Sequence, residues 1–550
     1  MNRTVLSFGG TVVALAAVTG LAVLWAPDEG AGGSDSAKAA ALKPVERTSL
    51  VCPQPSSSDV AETAYTAFSP KGGPGKKGSA ALHPAELAET DQSQESGKSD
   101  KGEKGEKGEK GEKGGDQGAQ HGNGNKGAED GEGGTGRERG GDGGQGAGKP
   151  YLPLSSPGTP VVDDTSDPKA PALTGTADGV FAPGWTVQQT TTVGAGAGRG
   201  LHGTACSAPD TSFWFPGAST AQGRQDYVHL TNPDSGAAVV DLELYGKEGK
   251  IKGGEGGGED ITVPPHSTVP VLLSTLTPEP ATNVTLHVTA RSGRVGAQVQ
   301  TSDTESGGDW LPPAAPPGPR AVLPGIPEDA TSVRLAVFAP GGDDADLEVR
   351  LAGRSGLISP AGHETLHVKA GMVTTVDLKN LTQGEAGSLV LSPAEGGADA
   401  PDVVAAARVT RGKGDKQESA FVTSTAPVDK RATAADNRAG GSTLALTAPG
   451  SGARVRVTAS AGSGGGSPKS TTVAVKGHTT TAFAPPRPTG GKGTYAVTVE
   501  RLSGGPVYAS RMLERPLSGV PAFTIQTLPD DGSTVAVPTS AQDLSVLNDD

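Results

Sequence analysis

The stretch ITVPPHSTVPVLL, residues 261–273, decides the predicted fold because two related stretches follow it at nearly constant spacing. LHVKAGMVTTVDL occupies residues 366–378 and VAVKGHTTTAFAP occupies residues 473–485, so the copies begin 105 and 107 residues apart. Each copy alternates apolar and other residues, breaks at a Pro, Gly or Ala, and alternates again. Alternation with period two predicts strands that bury one face. The positions expected to point inward are Val263, Val368 and Val475.

The repeat extends on both sides of these copies. Before them lie paired strand patterns joined by polar turns, YVHLTNPDSGAAVVDLELYG (227–246), VRLAVFAPGGDDADLEVRLAG (333–353) and STLALTAPGSGARVRVTASAG (442–462). After them lie the single strand patterns GRVGAQVQT (293–301), DVVAAARVT (402–410) and GPVYASRML (505–513). A unit of roughly 100 residues with turns about every 8 to 12 residues is typical of an immunoglobulin-like sandwich. We therefore predict an all-β chain of tandem immunoglobulin-like antiparallel β-sandwiches.

The N-terminus has the pattern of an export signal. Arg3 is followed by a charge-free run of about 22 residues, which is long enough to cross a bilayer. Ala26 is followed by Pro27, a poor partner for signal-peptide cleavage. We expect an uncleaved signal-anchor helix with the bulk of the chain outside the cell membrane. A cleaved signal peptide, which would make the protein secreted, is the alternative.

Residues 71–150 form a low-complexity insertion, with KGEKGEKGEKGEKGG at residues 101–115. The insertion is predicted to be disordered because it has little apolar surface to offset the entropy of ordering. The predicted organisation is a signal-anchor helix at 1–27, a linker at 28–45, an N-terminal β module at 46–223 that contains the insertion, immunoglobulin-like modules at 224–318, 319–432 and 440–538, and a tail at 539–550.

The chain contains two cysteines, Cys52 and Cys206. Their spacing is neither that of a zinc cluster nor that of a redox pair. In an exported protein a single disulfide is the expected state, and two buried free thiols are the alternative.

One short motif suggests a different function. Residues 363–367 read HETLH, which matches the H-E-x-x-H zinc site of metallopeptidases. That site needs His363 and His367 one turn apart on a helix, with Glu364 as general base. The repeat places His367 on the outward face of a strand, where residues four apart stand roughly 13 Å from each other. We therefore predict no metal site and no cofactor, and a zinc peptidase stays the disfavoured alternative.

An aromatic stretch stands out in a chain with only 3% aromatic residues. Phe213, Trp214 and Phe215 are consecutive, and Trp185 lies upstream. Exposed aromatic side chains on a β-sandwich can stack on sugars, so these four residues are a candidate carbohydrate-binding cluster. The alternative is that they fill the core of the first module or its junction with the second.

The net charge and a few polar positions give weaker evidence about binding partners and exposed surfaces. The net charge of −14 argues against a nucleic-acid partner, because phosphate binding needs clustered Lys and Arg. Carboxylates in the turn GGDDADLEV (341–349) are weak calcium ligands at best, and a solvated turn is the preferred interpretation. One position of the repeat is polar in all three copies, and we expect its residues to face solvent: Gln298, Arg408 and Arg511.

Taken with SLVCP (49–53) and GTACSAPD (203–210), the repeat resembles an uncharacterised family of actinobacterial secreted or membrane-anchored envelope proteins with bacterial immunoglobulin-like repeats. That resemblance implies an exported location but no activity. We expect a non-catalytic envelope scaffold, spacer or interaction module. Its partner would be an envelope protein or a polysaccharide, with the membrane contacted through the N-terminal helix.

Overall fold

The computed structural model describes residues 41–537, except 73–74, 76, 89–149, 255–256 and 395–399. Strands dominate these residues, and they form several antiparallel sheets, so the all-β prediction is confirmed. The predicted signal-anchor helix lies outside the described residues. Within the described ranges, no helix combines the length and apolar character that a bilayer crossing requires.

From Pro44 to Val535 the chain forms one compact unit. Inside it, four consecutive segments each fold into two facing sheets, which we call sheet pairs 1 to 4. Sheet pair 1 contains β2 (Arg47–Cys52), β3 (Ala61–Phe68), β4 (Ala80–Pro84), β6 (Val161–Thr165), β7 (Leu173–Asp178), β8 (Thr186–Val193) and β9 (Gly200–Ala205). Sheet pair 2 contains β10 (Ser212–Ala218), β11 (Arg224–Thr231), β12 (Ala238–Gly246), β13 (Gly249–Lys250), β14 (Ile261–Val263), β15 (Ser267–Leu272), β16 (Val284–Ser292), β17 (Gly296–Asp303) and β18 (Gly307–Leu311).

The second half of the unit is built in the same way. Sheet pair 3 contains β19 (Ala321–Ile326), β20 (Ala330–Phe338), β21 (Ala345–Ala352), β22 (Leu357–Ile358), β23 (Thr365–Val368), β24 (Val373–Asp377), β25 (Gly387–Pro393), β26 (Val404–Arg411) and β27 (Glu418–Thr423). Sheet pair 4 contains β28 (Arg431–Asn437), β29 (Ser442–Ala448), β30 (Ala453–Gly462), β31 (Lys469–Val475), β32 (Thr479–Phe483), β33 (Tyr495–Gly504), β34 (Tyr508–Glu514) and β35 (Phe523–Thr527).

All four sheet pairs share one order of seven main strands. In pair 1 these strands form the sheets β2-β7-β4 and β6-β3-β8-β9. Counted along the chain, that is first–fifth–third and fourth–second–sixth–seventh, and the same order recurs in pairs 2, 3 and 4. The short strands β13, β14, β22 and β23, together with β31, extend the edge at the third strand. The sequence repeat revealed three such units, whereas the structure contains four.

The alternating residues of each pair fill an apolar core between its two sheets. Val263, Val368 and Val475 are at most 2% exposed, as the repeat predicted, and each belongs to the core of its own pair. Small residues such as Ala and Val make up much of these cores, which accounts for the low aromatic content.

The four sheet pairs close into a ring. Their seventh strands meet in cyclic order, with β9 against β18, β18 against β27, β27 against β35, and β35 against β9. The first strand of each pair also packs on the four-stranded sheet of the next, since β2 contacts β17, β10 contacts β26, β19 contacts β34 and β28 contacts β8. The backbone N–H of Val45 donates to the carbonyl of Ser533 at 3.1 Å, so this unit begins and ends at one place.

Several predicted boundaries differ from the strands. The insertion was predicted to begin at residue 71, but β4 and a short strand, β5 (Glu86–Leu87), lie within it, and β5 pairs in parallel with β15. Residues 89–149 and the tail at 539–550 lie outside the described residues. The predicted linker at 28–45 contains β1 (Ala41–Pro44), which pairs with β36 (Thr534–Val537). The first strand of sheet pair 2, β10, lies before the predicted module start at 224. The first strand of sheet pair 4, β28, lies before the predicted module start at 440.

Candidate functional site

The disulfide predicted between Cys52 and Cys206 is confirmed, with the two Cα atoms 4.3 Å apart. Cys52 ends β2 and Cys206 directly follows β9, so the bond joins the first strand of sheet pair 1 to the end of its seventh. Both residues lie in the core of this pair, where Trp185 is also buried at 3% exposure. The bond therefore ties the strand that begins the ring to one that lies at its centre.

The four aromatic residues of the candidate carbohydrate cluster do not share a surface. Trp185 belongs to the core of sheet pair 1, whereas Phe213 and Phe215 belong to the core of pair 2. Strand alternation in β10 turns Trp214 to the opposite face. There it lies among residues of pairs 2 and 3, so the four residues are divided between two cores and one junction.

Trp214 has little free ring surface for a sugar. Its indole stacks on the imidazole of His287, with ring centroids 3.6 Å apart and planes 5° apart. Phe338 of pair 3 lies at 5.4 Å and Tyr245 at 6.4 Å. The hydroxyl of Tyr245 donates to Glu243 at 2.8 Å. These contacts make Trp214 part of the contact between sheet pairs 2 and 3.

The HETLH stretch is not helical. Residues 365–368 form β23, and the residues before them form a turn. The imidazole of His367 pairs with Asp346 at 2.8 Å and with Asp344 at 3.4 Å. The same positions of pairs 2 and 4, Thr262 and Ala474, are exposed as well. Across the described ranges, no group of three or more His, Cys, Asp or Glu side chains is arranged to hold a metal ion.

Buried polar side chains mark the centre of the ring. Glu418 in β27 has no exposed surface and accepts a hydrogen bond from the backbone N–H of Leu201 in β9, at 3.2 Å. Burial raises the pKa of this carboxyl to about 8, against the opposing effects of the Leu201 hydrogen bond and of Arg199. Gly200 has φ +140°, and a Cβ there would lie 2.1 Å from Glu418 Oε1, so only glycine fits beside this carboxyl.

Two more titratable groups lie on the neighbouring seventh strands. Asp309 in β18 accepts the backbone N–H of Gly203 in β9 at 3.0 Å, and burial raises its pKa. His202 in β9 is 1% exposed, and its Nε2 donates to the carbonyl of Gly198 at 2.8 Å. Burial lowers the pKa of His202 to about 4. The centre of the ring therefore favours the neutral forms of its acids and of its histidine.

The prediction that Gln298 and Arg511 face solvent is wrong. Gln298 is 3% exposed and accepts a hydrogen bond from Thr204 of pair 1 at 3.2 Å. Arg511 is fully buried and donates to Gln526 of its own pair 4, and burial lowers its pKa to about 10. Arg408 is 23% exposed and bonds Asp303 of pair 2 at 3.0 Å. Gln298 and Arg408 face away from their own cores and enter junctions between sheet pairs. Arg511 instead lies opposite Leu444, on the face of its sheet that carries the core of pair 4.

A cleft of about 1190 Å³ opens beside the seventh strands. Pair 1 contributes β2, β7 and the segment after β9, pair 2 contributes three turns, and pair 4 contributes β35 and the segment after it. Ser49, Thr176 and Thr186 place hydroxyls on its walls, and Pro312 and Pro313 place ring surfaces there.

The charged groups of this cleft, which we call the axial cleft, are already paired. Arg294 holds Asp234 with two hydrogen bonds at 2.9 and 3.1 Å. Asp531 pairs with Arg431 at 2.5 Å, and Asp530 accepts the backbone N–H of Lys430 at 2.7 Å. A further pair joins Arg47 and Asp178 at 3.6 Å. The axial cleft therefore presents a polar but nearly neutral surface.

Comparison with known proteins places the chain in a family. The model of the family of unknown function DUF5719 matches residues 161–486, more than half of the chain. The chain belongs to this family. The matched range begins at β6 and ends just after β32, so it includes strands of all four sheet pairs. No curated protein and no solved structure matches the chain. Membership in a family of unknown function is thus confirmed, while an actinobacterial envelope origin stays a prediction.

Proposed function

We propose that this protein is a non-catalytic, exported envelope protein that acts as an interaction module. The closed ring is the observation that carries the proposal. A spacer needs its two ends far apart, but Val45 and Ser533 are hydrogen-bonded neighbours, so four sheet pairs add no length between them. A ring instead brings loops and strand ends of several pairs to one place, which suits the binding of a partner.

Export is supported by the disulfide. Bonds such as Cys52–Cys206 persist in oxidising compartments and are rare in the reducing cytosol. The apolar run after Arg3 supplies a signal of suitable length. We propose that the protein remains attached to the cell membrane through this segment.

We also propose that each sheet pair is an immunoglobulin-like sandwich. Its first–fifth–third sheet corresponds to strands B-E-D of that fold, and second–sixth–seventh corresponds to C-F-G. The fourth strand is an addition beside the second. Several loops then lie at the two ends of each sandwich, where such folds usually bind partners.

The alternatives receive less support from the geometry. A zinc peptidase would need a helix at residues 363–367, where β23 begins. Sugar stacking on Trp214 would need a free ring face, but His287 and Phe338 pack against it.

The proposal is tested by fractionation and pull-down with the full tagged chain. We expect the chain in the envelope fraction, with both cysteines protected from alkylation until a reductant is added, and we expect it to retain an envelope protein or polysaccharide. Free thiols in cytosolic material would refute export. Retention of no envelope component after crosslinking would refute the interaction role.

A further inference from the structure

We propose that the axial cleft binds a segment of an uncharged polysaccharide. This proposal rests on the interaction role proposed above and names the site and the class of ligand. The cleft is somewhat larger than the ~300–1,000 Å³ of ordinary small-molecule sites, so it has room for several sugar units.

The charge balance of the cleft selects an uncharged ligand. Its aspartates already bind arginines or backbone N–H groups, and its arginines already have carboxylate partners. A cationic ligand would compete with Arg294 for Asp234, and an anionic ligand would compete with Asp234 for Arg294. A neutral ligand leaves these pairs intact, and it avoids separating the nearly buried pair of Asp531 and Arg431.

The remaining lining suits the two kinds of surface that a sugar has. Ser49, Thr176 and Thr186 are partly exposed. The hydroxyl of Thr186 donates to the carbonyl of Gly184 and can accept from a sugar hydroxyl, and those of Ser49 and Thr176 can donate or accept. The rings of Pro312 and Pro313 are flat apolar surfaces for the C–H faces of the sugar rings. Binding by hydroxyls and proline rings needs no exposed tryptophan, which agrees with the burial of Trp185.

The assembly of the cleft also explains why it requires the ring. Its walls come from pairs 1, 2 and 4, and pairs 1 and 4 are neighbours only because the ring closes. The disulfide residue Cys206 lies in the wall, and the exposed Ala208 lies there two residues later. A chain that opened between β9 and β35 would separate these walls and lose the site.

The test uses the full chain and isothermal titration with three defined oligosaccharides. Maltoheptaose and chitohexaose are the uncharged probes, and a galacturonic acid heptamer is the acidic probe. We expect saturable binding of at least one uncharged probe, with no binding of the acidic one. Replacing exposed Ala208 by a bulky residue, Ala208→Trp, should weaken binding at least tenfold because the indole would occupy the cleft.

Ala237→Trp is the matched control, since Ala237 is also exposed, lies in the turn between β11 and β12 and does not line the cleft. It should leave the affinity within about twofold of the unmodified chain. If Ala208→Trp binds the probe as tightly as the unmodified chain, the axial cleft is not the binding site. If the chain prefers the galacturonic acid heptamer, the ligand is not an uncharged polysaccharide. If no probe binds while crosslinking still recovers an envelope protein, the polysaccharide proposal fails and the interaction role stands.

Discussion

Replacing Glu418 by glutamine should change how the stability of the ring depends on pH. Glu418 is fully buried, and Leu201 donates its backbone N–H to one carboxyl oxygen. Glutamine keeps an oxygen for that hydrogen bond but cannot ionise. Glu418→Gln therefore removes the titration while retaining the shape of the side chain.

The direction and size of this pH dependence of stability follow from the raised pKa of Glu418. Burial moves the pKa of Glu418 from 4.5 to about 8, so between these values the unfolded chain ionises this group and the folded ring does not. The unfolded state then binds fewer protons, and stability falls as pH rises from 4.5 to about 8. At 1.36 kcal/mol per pH unit the full loss amounts to roughly 5 kcal/mol. Above pH 8 both states are ionised, and the loss stays constant.

The assay is urea unfolding followed by tryptophan fluorescence at pH 4.5 and pH 9. Relative to the unmodified protein, we expect Glu418→Gln to be more stable at pH 9 than at pH 4.5, by roughly 5 kcal/mol of unfolding free energy. His202 also titrates in this range, but both proteins contain it, so its effect cancels in the difference. Glu248→Gln, at a side chain that is 86% exposed, is the control and should show no such difference. If Glu418→Gln and the unmodified protein lose stability in parallel as pH rises, the burial argument is wrong.

Three further predictions concern the disulfide, the packing at the centre of the ring and the zinc motif. Replacing Cys52 and Cys206 together by alanine should lower the unfolding free energy in urea by up to about 5 kcal/mol, because the bond closes a loop with a sequence separation of 154; an unchanged midpoint would contradict this. Gly203→Ala would place a Cβ 2.5 Å from a methyl group of β35 and should cost about 1–3 kcal/mol in thermal unfolding. Gly236→Ala has open space and should cost about 0.5 kcal/mol or less, so equal costs would argue against close packing at the centre. His363→Ala should leave the zinc content of the purified protein unchanged by elemental analysis, and loss of one zinc per chain would revive the peptidase.

The strand pattern was predictable because each sheet pair repeats one local rule. Inward residues such as Val263 and Val368 alternate with exposed neighbours, and that alternation is visible in any window of a few residues. The repeat in the sequence did not include sheet pair 1. Residues 89–149 separate β5 from β6, so this pair is longer than the spacing of roughly 100 residues that the other copies share. The candidate site was predicted poorly, since Trp185 and Trp214 were grouped by composition, whereas they lie in different parts of the ring.

By itself the sequence determined the extended backbone and the inward valines, and it allowed one disulfide, between Cys52 and Cys206. Only the tertiary structure decided that the fourth sheet pair packs on the first, that Gln298 is buried against pair 1, and that three pairs build the axial cleft. The physical reason is that a polar residue in an alternating strand has the same pattern whether its outward face meets water or another sheet. Hydrogen-bond partners far along the chain make burial tolerable, as Thr204 does for Gln298 and Leu201 does for Glu418.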